Sequence, residues 1–181
     1  MFKMKKFKEF DIQFVGLKQG KHQFDFEIKQ KFFDAFEFEE FNDANVHVDL
    51  TLDKKSTMLE LTFECEGFVN VYCDLSNEPY DQEIKSKLHL LVKFGDEYND
   101  ENEEVLIIPH SEYQINVAQY IYEMIVLSVP NKRIHPGVKD GTLSTEILEK
   151  LEAFQPKEEK ENKDGETDPR WDQLKKLLTD K

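Results

Sequence analysis

The side chains able to do covalent or metal chemistry are few: two cysteines, Cys65 and Cys73, and five dispersed histidines, His22, His47, His89, His110 and His135. Cys73, His135 and His110 could supply three metal ligands, but their spacing follows no pattern of structural zinc, which wants four thiolates or imidazoles. The acidic stretch Asp96 to Glu104 lacks the glycine and the oxygen spacing of a calcium loop and reads as a solvated loop. No histidine has a nucleophile beside it in a recognisable arrangement. There is no phosphate-cradling glycine loop, no nucleophile elbow, no paired-cysteine redox motif and no His-Glu metal helix. The expectation is a protein with no catalytic residues, no metal and no cofactor. Its cysteines then act as small buried apolar groups.

Residues that could bind a partner are easier to find. Asp168 reads as a helix N-cap and Pro169 suits the first helical position, where a missing N–H costs nothing. Trp171, Leu174 and Leu178 then share one face at i, i+3, i+7. A helix of about three turns is marginal alone in water, so it needs a surface to pack on. It follows a polar run, Gln155 to Thr167, with almost nothing apolar to fold around. Asp168, Pro169, Arg170, Trp171, Leu174 and Leu178 are therefore the expected partner-binding residues, tethered by a flexible linker, with Arg170 as a polar clamp. Folding back on the chain's own sheet is the competing arrangement. Lys132 and Arg133, near His135, and the N-terminal Lys3, Lys5, Lys6 and Lys8 are candidate RNA contacts. A net charge of −14 favours solvated ends over a phosphate-binding patch, because polyanion binders cluster their lysines and arginines.

The elements that must position these residues alternate with period two in the first half. Phe24, Phe26 and Ile28 share a face, as do Val46, Val48, Leu50 and Leu52. Leu59, Leu61, Phe63 and Cys65 continue the pattern. Glu66-Gly67 then reads as a turn, with Val69, Val71 and Cys73 on the returning strand of a hairpin. Leu88, Leu90, Val92 and Phe94 form a further strand, and Gly16 and Gly20 flank a turn between the first two. In the second half, Asn116 and Gln119 suggest a capping box before a helix. Its apolar stripe is Val117, Tyr120, Ile121, Met124 and Ile125, and Pro130 marks its end. A second helix is expected after Ser144, with Ile147, Leu148, Leu151 and Phe154 on one side. The fold class is α+β: an antiparallel β-meander sheet, open or barrel-like, packed with two helices, then a disordered linker and a C-terminal amphipathic helix. The expected organisation is one domain over residues 1–154, a charged linker over 155–167 and a docking helix over 168–181. No apolar run is long enough to span a bilayer and no apolar signal segment follows the basic N-terminus, so a cytoplasmic protein is expected.

Four segments stand in a familiar order: Gly67 to Leu75 (GFVNVYCDL), Leu91 to Gly95 (LVKFG), Ile115 to Pro130 (INVAQYIYEMIVLSVP) and Asp168 to Trp171 (DPRW) with its leucine-rich helix. In this order the chain resembles the YceD family, the large ribosomal RNA subunit accumulation proteins. The resemblance implies a non-catalytic role in 23S rRNA accumulation and large-subunit assembly. It implies as partner a large-subunit ribosomal protein or assembly factor, with 23S rRNA touched directly or indirectly, and neither membrane nor small-molecule substrate. Cys73 and Asp74 match the family's cysteine-containing turn, and Glu123 and Pro130 match the end of its helix. Asp168, Pro169 and Arg170 match the terminal motif. Many relatives carry Cys-x-x-Cys at the turn and further cysteines after the helix. Here Ser76 stands three residues after Cys73, and no cysteine lies between Asn131 and Pro136, so what remains of the motif is expected to be structural.

Overall fold

The structure, a computed structural model, describes residues 7–102, 104–143, 149–150 and 153–154. The chain divides into two compact units, Met1–Ser144 and Thr145–Lys181. In the second, residues 149–150 and 153–154 are helical, within the segment where a helix is expected after Ser144. The anticipated linker over 155–167 and docking helix over 168–181 lie outside the described residues.

The first unit is built on a six-stranded sheet. Its long strands are β2 (Gly20–Lys29), β3 (Asp43–Lys54), β4 (Met58–Tyr72) and β5 (Pro79–Gly95), and they form an antiparallel meander. Beyond β5 lie β7 (Val105–Pro109) and then β6 (Asn99–Asn102) at the outer edge. Two features depart from the simple meander. The β5–β7 pair is parallel, because the chain passes through β6 before β7 returns beside β5. The sheet is also open, with β2 and β6 as its edges, so the barrel-like alternative does not hold. The segment from Asp96 to Glu104, expected as a loop, contributes edge strand β6. That strand is short, exposed along its length and acidic, which suits an edge that must not recruit another strand.

The hairpin expected at Glu66-Gly67 is absent. Residues 58–72 make one continuous strand of 15 residues, paired without a break to β3 on one side and β5 on the other. Leu59, Leu61, Phe63, Cys65, Val69 and Val71 all point inward, so the alternation keeps its parity through Gly67. Gly67 is needed for closeness instead of reversal. A Cβ there would lie 2.3 Å from the Asn45 carbonyl oxygen and 2.7 Å from Val46 Cα, and its φ of +155° is one that side chains resist.

The inner face of β2–β5 carries the core. Ile28, Val46, Val48, Leu50, Leu52, Leu61 and Phe63 are all buried. The outer face is polar, the usual division for an antiparallel sheet covered on one side. Two structures share the inner-face core. One is α2 (Ala118–Ser128), which buries Ala118, Ile121, Met124 and Ile125, as the helical stripe requires. The other is a two-stranded ribbon, β1 (Asp11–Gln13) with β8 (Gln114–Asn116), which joins the start of the domain to a segment about a hundred residues later. A short helix that the periodicity did not suggest, α1 (Gln30–Ala35), buries Phe32 and Phe33. Around it Phe7, Phe36 and Tyr122 stack in sequence, with ring centroids 4.5 and 4.4 Å apart.

The expected capping box does not form, since the residue that precedes α2 is Val117, which offers no side-chain cap. Asn116 Oδ1 does accept the Ala118 N–H at 3.1 Å, but Gln119 donates forward to Glu123 at 2.7 Å instead of reaching back. The Asn116 amide is occupied elsewhere, donating to Phe7 O and Asp11 Oδ1 and so fastening the ribbon to the helix start. At the far end α2 stops at Ser128, two residues before Pro130. Gly16 and Gly20 do flank a turn, although β1 pairs with β8 and not with β2.

Candidate functional site

At one end of the sheet the chain leaves β4, turns through residues 73–78 and enters β5. The turn is closed by the Cys73 N–H to Glu78 O at 2.9 Å and the Asn77 N–H to Cys73 O at 2.9 Å. Asn77 takes a positive φ of 56°, a conformation its short amide tolerates. Ser76 is buried inside the turn. Its N–H points at Cys73 Sγ from 3.5 Å, and its hydroxyl accepts the Glu78 N–H.

The segment following α2 folds onto this turn. The His135 N–H donates to Cys73 Sγ at 3.3 Å. Asp74 and Arg133 exchange backbone contacts in both directions: the Asp74 N–H donates to Arg133 O at 2.8 Å, and the Arg133 N–H donates to Asp74 Oδ2 at 2.7 Å. The Arg133 guanidinium continues the contact, with Nε 3.4 Å from Asp74 Oδ1 and Nη1 3.6 Å from Glu40 Oε2. His135 lies edge-on to Tyr80, centroids 5.4 Å apart. Its Nδ1 accepts the Gly137 N–H at 2.9 Å, capping the helical turn α3 (Pro136–Lys139). Two segments some sixty residues apart are thus clasped by four polar contacts beside one thiol, and Glu40 adds a fifth from a third segment.

Electrostatics follow from that geometry. Burial works against the Cys73 thiolate, but the N–H groups of His135, Ser76 and Leu75 and the Ser76 hydroxyl outweigh it and bring its pKa down to about 7. Burial pushes the Cys65 thiol the other way, upward. Tyr80 is also raised, by burial and then by the charges of Cys73 and Asp74. Cys73 is 2% exposed, and its sulfur faces the N–H groups of His135 and Ser76. Both cysteines are free thiols. Among the described residues no three histidine, cysteine or acidic side chains are grouped to hold a metal ion, and His135 Nδ1 is already committed to Gly137.

Of the family-motif residues, Cys73 and Asp74 lie in the turn, Glu123 lies on the exposed side of α2 at its middle and not at its end, and Pro130 lies just past that end. Lys132 is exposed beyond α2, and Arg133 beside it is drawn down to Asp74 and Glu40, with 30% of its side chain exposed. Lys8 is exposed, whereas Lys3, Lys5 and Lys6 lie outside the described residues. So do Asp168, Pro169, Arg170, Trp171, Leu174 and Leu178. The histidines stay apart: His22 Nε2 is 2.8 Å from Lys18 O, His89 Nδ1 is 3.1 Å from the Thr62 hydroxyl, and His110 stacks on Phe94. His47 meets Glu27 at 2.8 Å and Asp49 at 3.4 Å, and the hydrogen bond to Glu27 raises its pKa.

Reading the sequence did not find the partners of the clasp. Arg133 carries no local signal that it meets Asp74 and Glu40, nor Tyr80 that it meets His135, because those contacts depend on where α2 ends. A second omission is the outer sheet face, where Phe68 and Tyr72 stand exposed.

Among the described residues no helix is long and apolar enough to cross a membrane. A family model described as "Large ribosomal RNA subunit accumulation protein YceD" matches residues 61–178, well over half of the chain. The match begins near the start of β4 and takes in the cysteine turn, α2 and the segment that follows it. No curated protein and no solved structure matches the chain.

Proposed function

The chain belongs to the YceD family of large ribosomal RNA subunit accumulation proteins, and on that premise we propose that it is a non-catalytic, cytoplasmic ribosome-biogenesis protein. It supports 23S rRNA accumulation and large-subunit assembly through contacts with a ribosomal protein or assembly factor. The family match is the observation that carries the reading. The formal charge of −14 supports a protein partner over bare RNA, since ribosomal components that bind rRNA are themselves basic and the field of this chain attracts them. A non-catalytic role is supported by the use made of the titratable groups at the clasp, which hold two segments together. Docking is assigned to Asp168, Pro169, Arg170, Trp171, Leu174 and Leu178, whose tether raises the effective concentration of a second contact.

The test is affinity purification at moderate salt with protein and RNA both identified. It compares the full chain, a chain ending at Glu166, and the double variant Trp171→Ala, Leu174→Ala. Large-subunit proteins or precursor 23S rRNA should accompany the full chain and be lost from both altered forms. Unchanged recovery with the double variant would refute tail docking, and no ribosomal component with the full chain would refute the assembly role. A second reading, direct rRNA contact, rests on exposed Lys132 beside Arg133. It predicts RNA that survives truncation and is lost on neutralising those two residues, with steep salt dependence.

A further inference from the structure

Among the described residues no element packs on the outer face of the four long strands, and β4 places two aromatic rings on it. Phe68 is 51% and Tyr72 48% exposed. Single exposed apolar side chains need no explanation, but these two share one face of one strand with only Asn70 between them. Their surroundings are charged unequally. The register puts Glu83 beside Phe68, and it puts Asp43 and Asp81 on either side of Asn70. One step along the strand, Glu66 lies between His47 and Lys85, with Glu27 beyond His47. Across these rows five carboxylates face two lysines, Lys29 and Lys85. Glu27, Asn45, His47, Glu66, Phe68 and Glu83 line an open depression of about 450 Å³.

We propose that this face docks an arginine-rich segment of a basic protein, with one guanidinium laid on the Phe68 ring and paired to Glu66 and Glu83. Cross-strand neighbours stand about 5 Å apart and alternate residues of one strand about 7 Å, so ring and both carboxylates fall within one guanidinium's reach. A planar cation can stack on the ring and hydrogen-bond to carboxylates together, which an ammonium does less well. Lys85 Nζ, 3.5 Å from Glu66 on an 81% exposed side chain, is readily displaced. Glu83 forms no ion pair among the described residues. The sign of the charge selects protein over nucleic acid, because phosphate would meet the carboxylates. The inference rests on the reading that the partner is a basic protein, and names the surface that receives it.

The experiment uses the full chain and a fluorescein-labelled peptide of alternating arginine and glycine, with the lysine peptide beside it, read by fluorescence anisotropy. The arginine peptide should bind more tightly than the lysine one. Phe68→Ala should weaken it about two- to fivefold, and Glu66→Gln with Glu83→Gln about three- to tenfold. Asp100→Asn with Glu101→Gln, on edge strand β6, removes the same charge elsewhere and should leave binding within about twofold. Equal losses from both charge pairs, or no binding by the unaltered chain, would overturn the proposal. Phe68 points outward, so an unchanged urea midpoint is expected, and Glu83→Gln alone gives the same answer if Phe68→Ala folds poorly. Using the unaltered chain and a Phe68→Ala, Glu83→Gln variant as baits separates the two readings. Ribosomal proteins recovered equally by both would sink the surface and leave the assembly role standing. None recovered by either, with peptide binding still dependent on Phe68, would sink the assembly role and leave the surface.

Discussion

Gly67→Ala should be among the most damaging single-methyl additions available to this domain. The added carbon would sit 2.3 Å from Asn45 O and 2.7 Å from Val46 Cα, where ordinary contacts begin near 3.4 Å, so β3 must retreat by about 1 Å. Neither obstacle is a flexible side-chain tip. Both are backbone of a central strand that is itself paired on its far side to β2. Overpacking of this kind costs roughly 1–3 kcal/mol, and a backbone near φ +155° roughly 1–3 kcal/mol more. Against that, alanine narrows the unfolded ensemble by about 0.4–1 kcal/mol. The net expectation is a loss of about 1–5 kcal/mol, read as a fall of about 0.5–2 M in the urea midpoint by circular dichroism. Gly16→Ala is the control: nothing lies within 4 Å of its Cβ position, and its stability should stay within about 0.5 kcal/mol of the parent. If Gly67→Ala also stayed within about 0.5 kcal/mol, the close approach of β4 to β3 would be refuted, and with it the reason for a glycine there.

Two further outcomes follow from polar contacts. The Cys73 thiol titrates near 7 when folded, below its ordinary value of 9.0, so the unfolded chain binds more protons between those limits. Stability should therefore be fully present above pH 9, fall as the pH drops through 7, and change by up to about 2–3 kcal/mol across that window. Cys73→Ala should flatten this slope in urea titrations at pH 6.5 and 9, and a slope that persists would remove the thiol as its cause. Lys54 Nζ donates to the carbonyls of Phe14, Val15 and Leu17 at 2.8, 3.3 and 2.9 Å, so Lys54→Met leaves three acceptors without their cation. A loss of about 1.5–3 kcal/mol is expected, with faster amide exchange confined to residues 14–18; unaltered exchange there would show that the contact holds nothing.

The inner faces of the strands were legible because period two leaves an unbroken record. Val46 to Leu52 and Leu59 to Phe63 are buried as their alternation demands. The same record contained the answer at Gly67. Parity is kept from Leu59 through Val71, whereas a turn has no reason to preserve it, so glycine as a turn signal misled where glycine as a close-contact signal applied. The parallel return of β7 beside β5 was not legible, because Val105 to Ile108 reads as a strand in either direction and only the placement of β6 decides. Helix α1 escaped notice because six residues cannot display a helical period. The cysteine turn was visible through its resemblance to a family motif. Its clasp to Arg133 and His135 was not, since contacts across some sixty residues leave no local trace.

The ribbon of β1 and β8 also has a consequence for synthesis. Asn116 grips Phe7 and Asp11 across 109 and 105 residues of chain. At about 5–20 residues per second, the N-terminal segment waits roughly 5–20 s on the ribosome before its partner has even been made. Strands β2 to β5 need no such delay, since each pairs with the next to emerge. The nascent protein therefore carries β1 without its pairing strand while its sheet is already assembling, and until β8 arrives Phe7 and Phe10 have only the rings of Phe26, Phe32 and Phe36 to lean on.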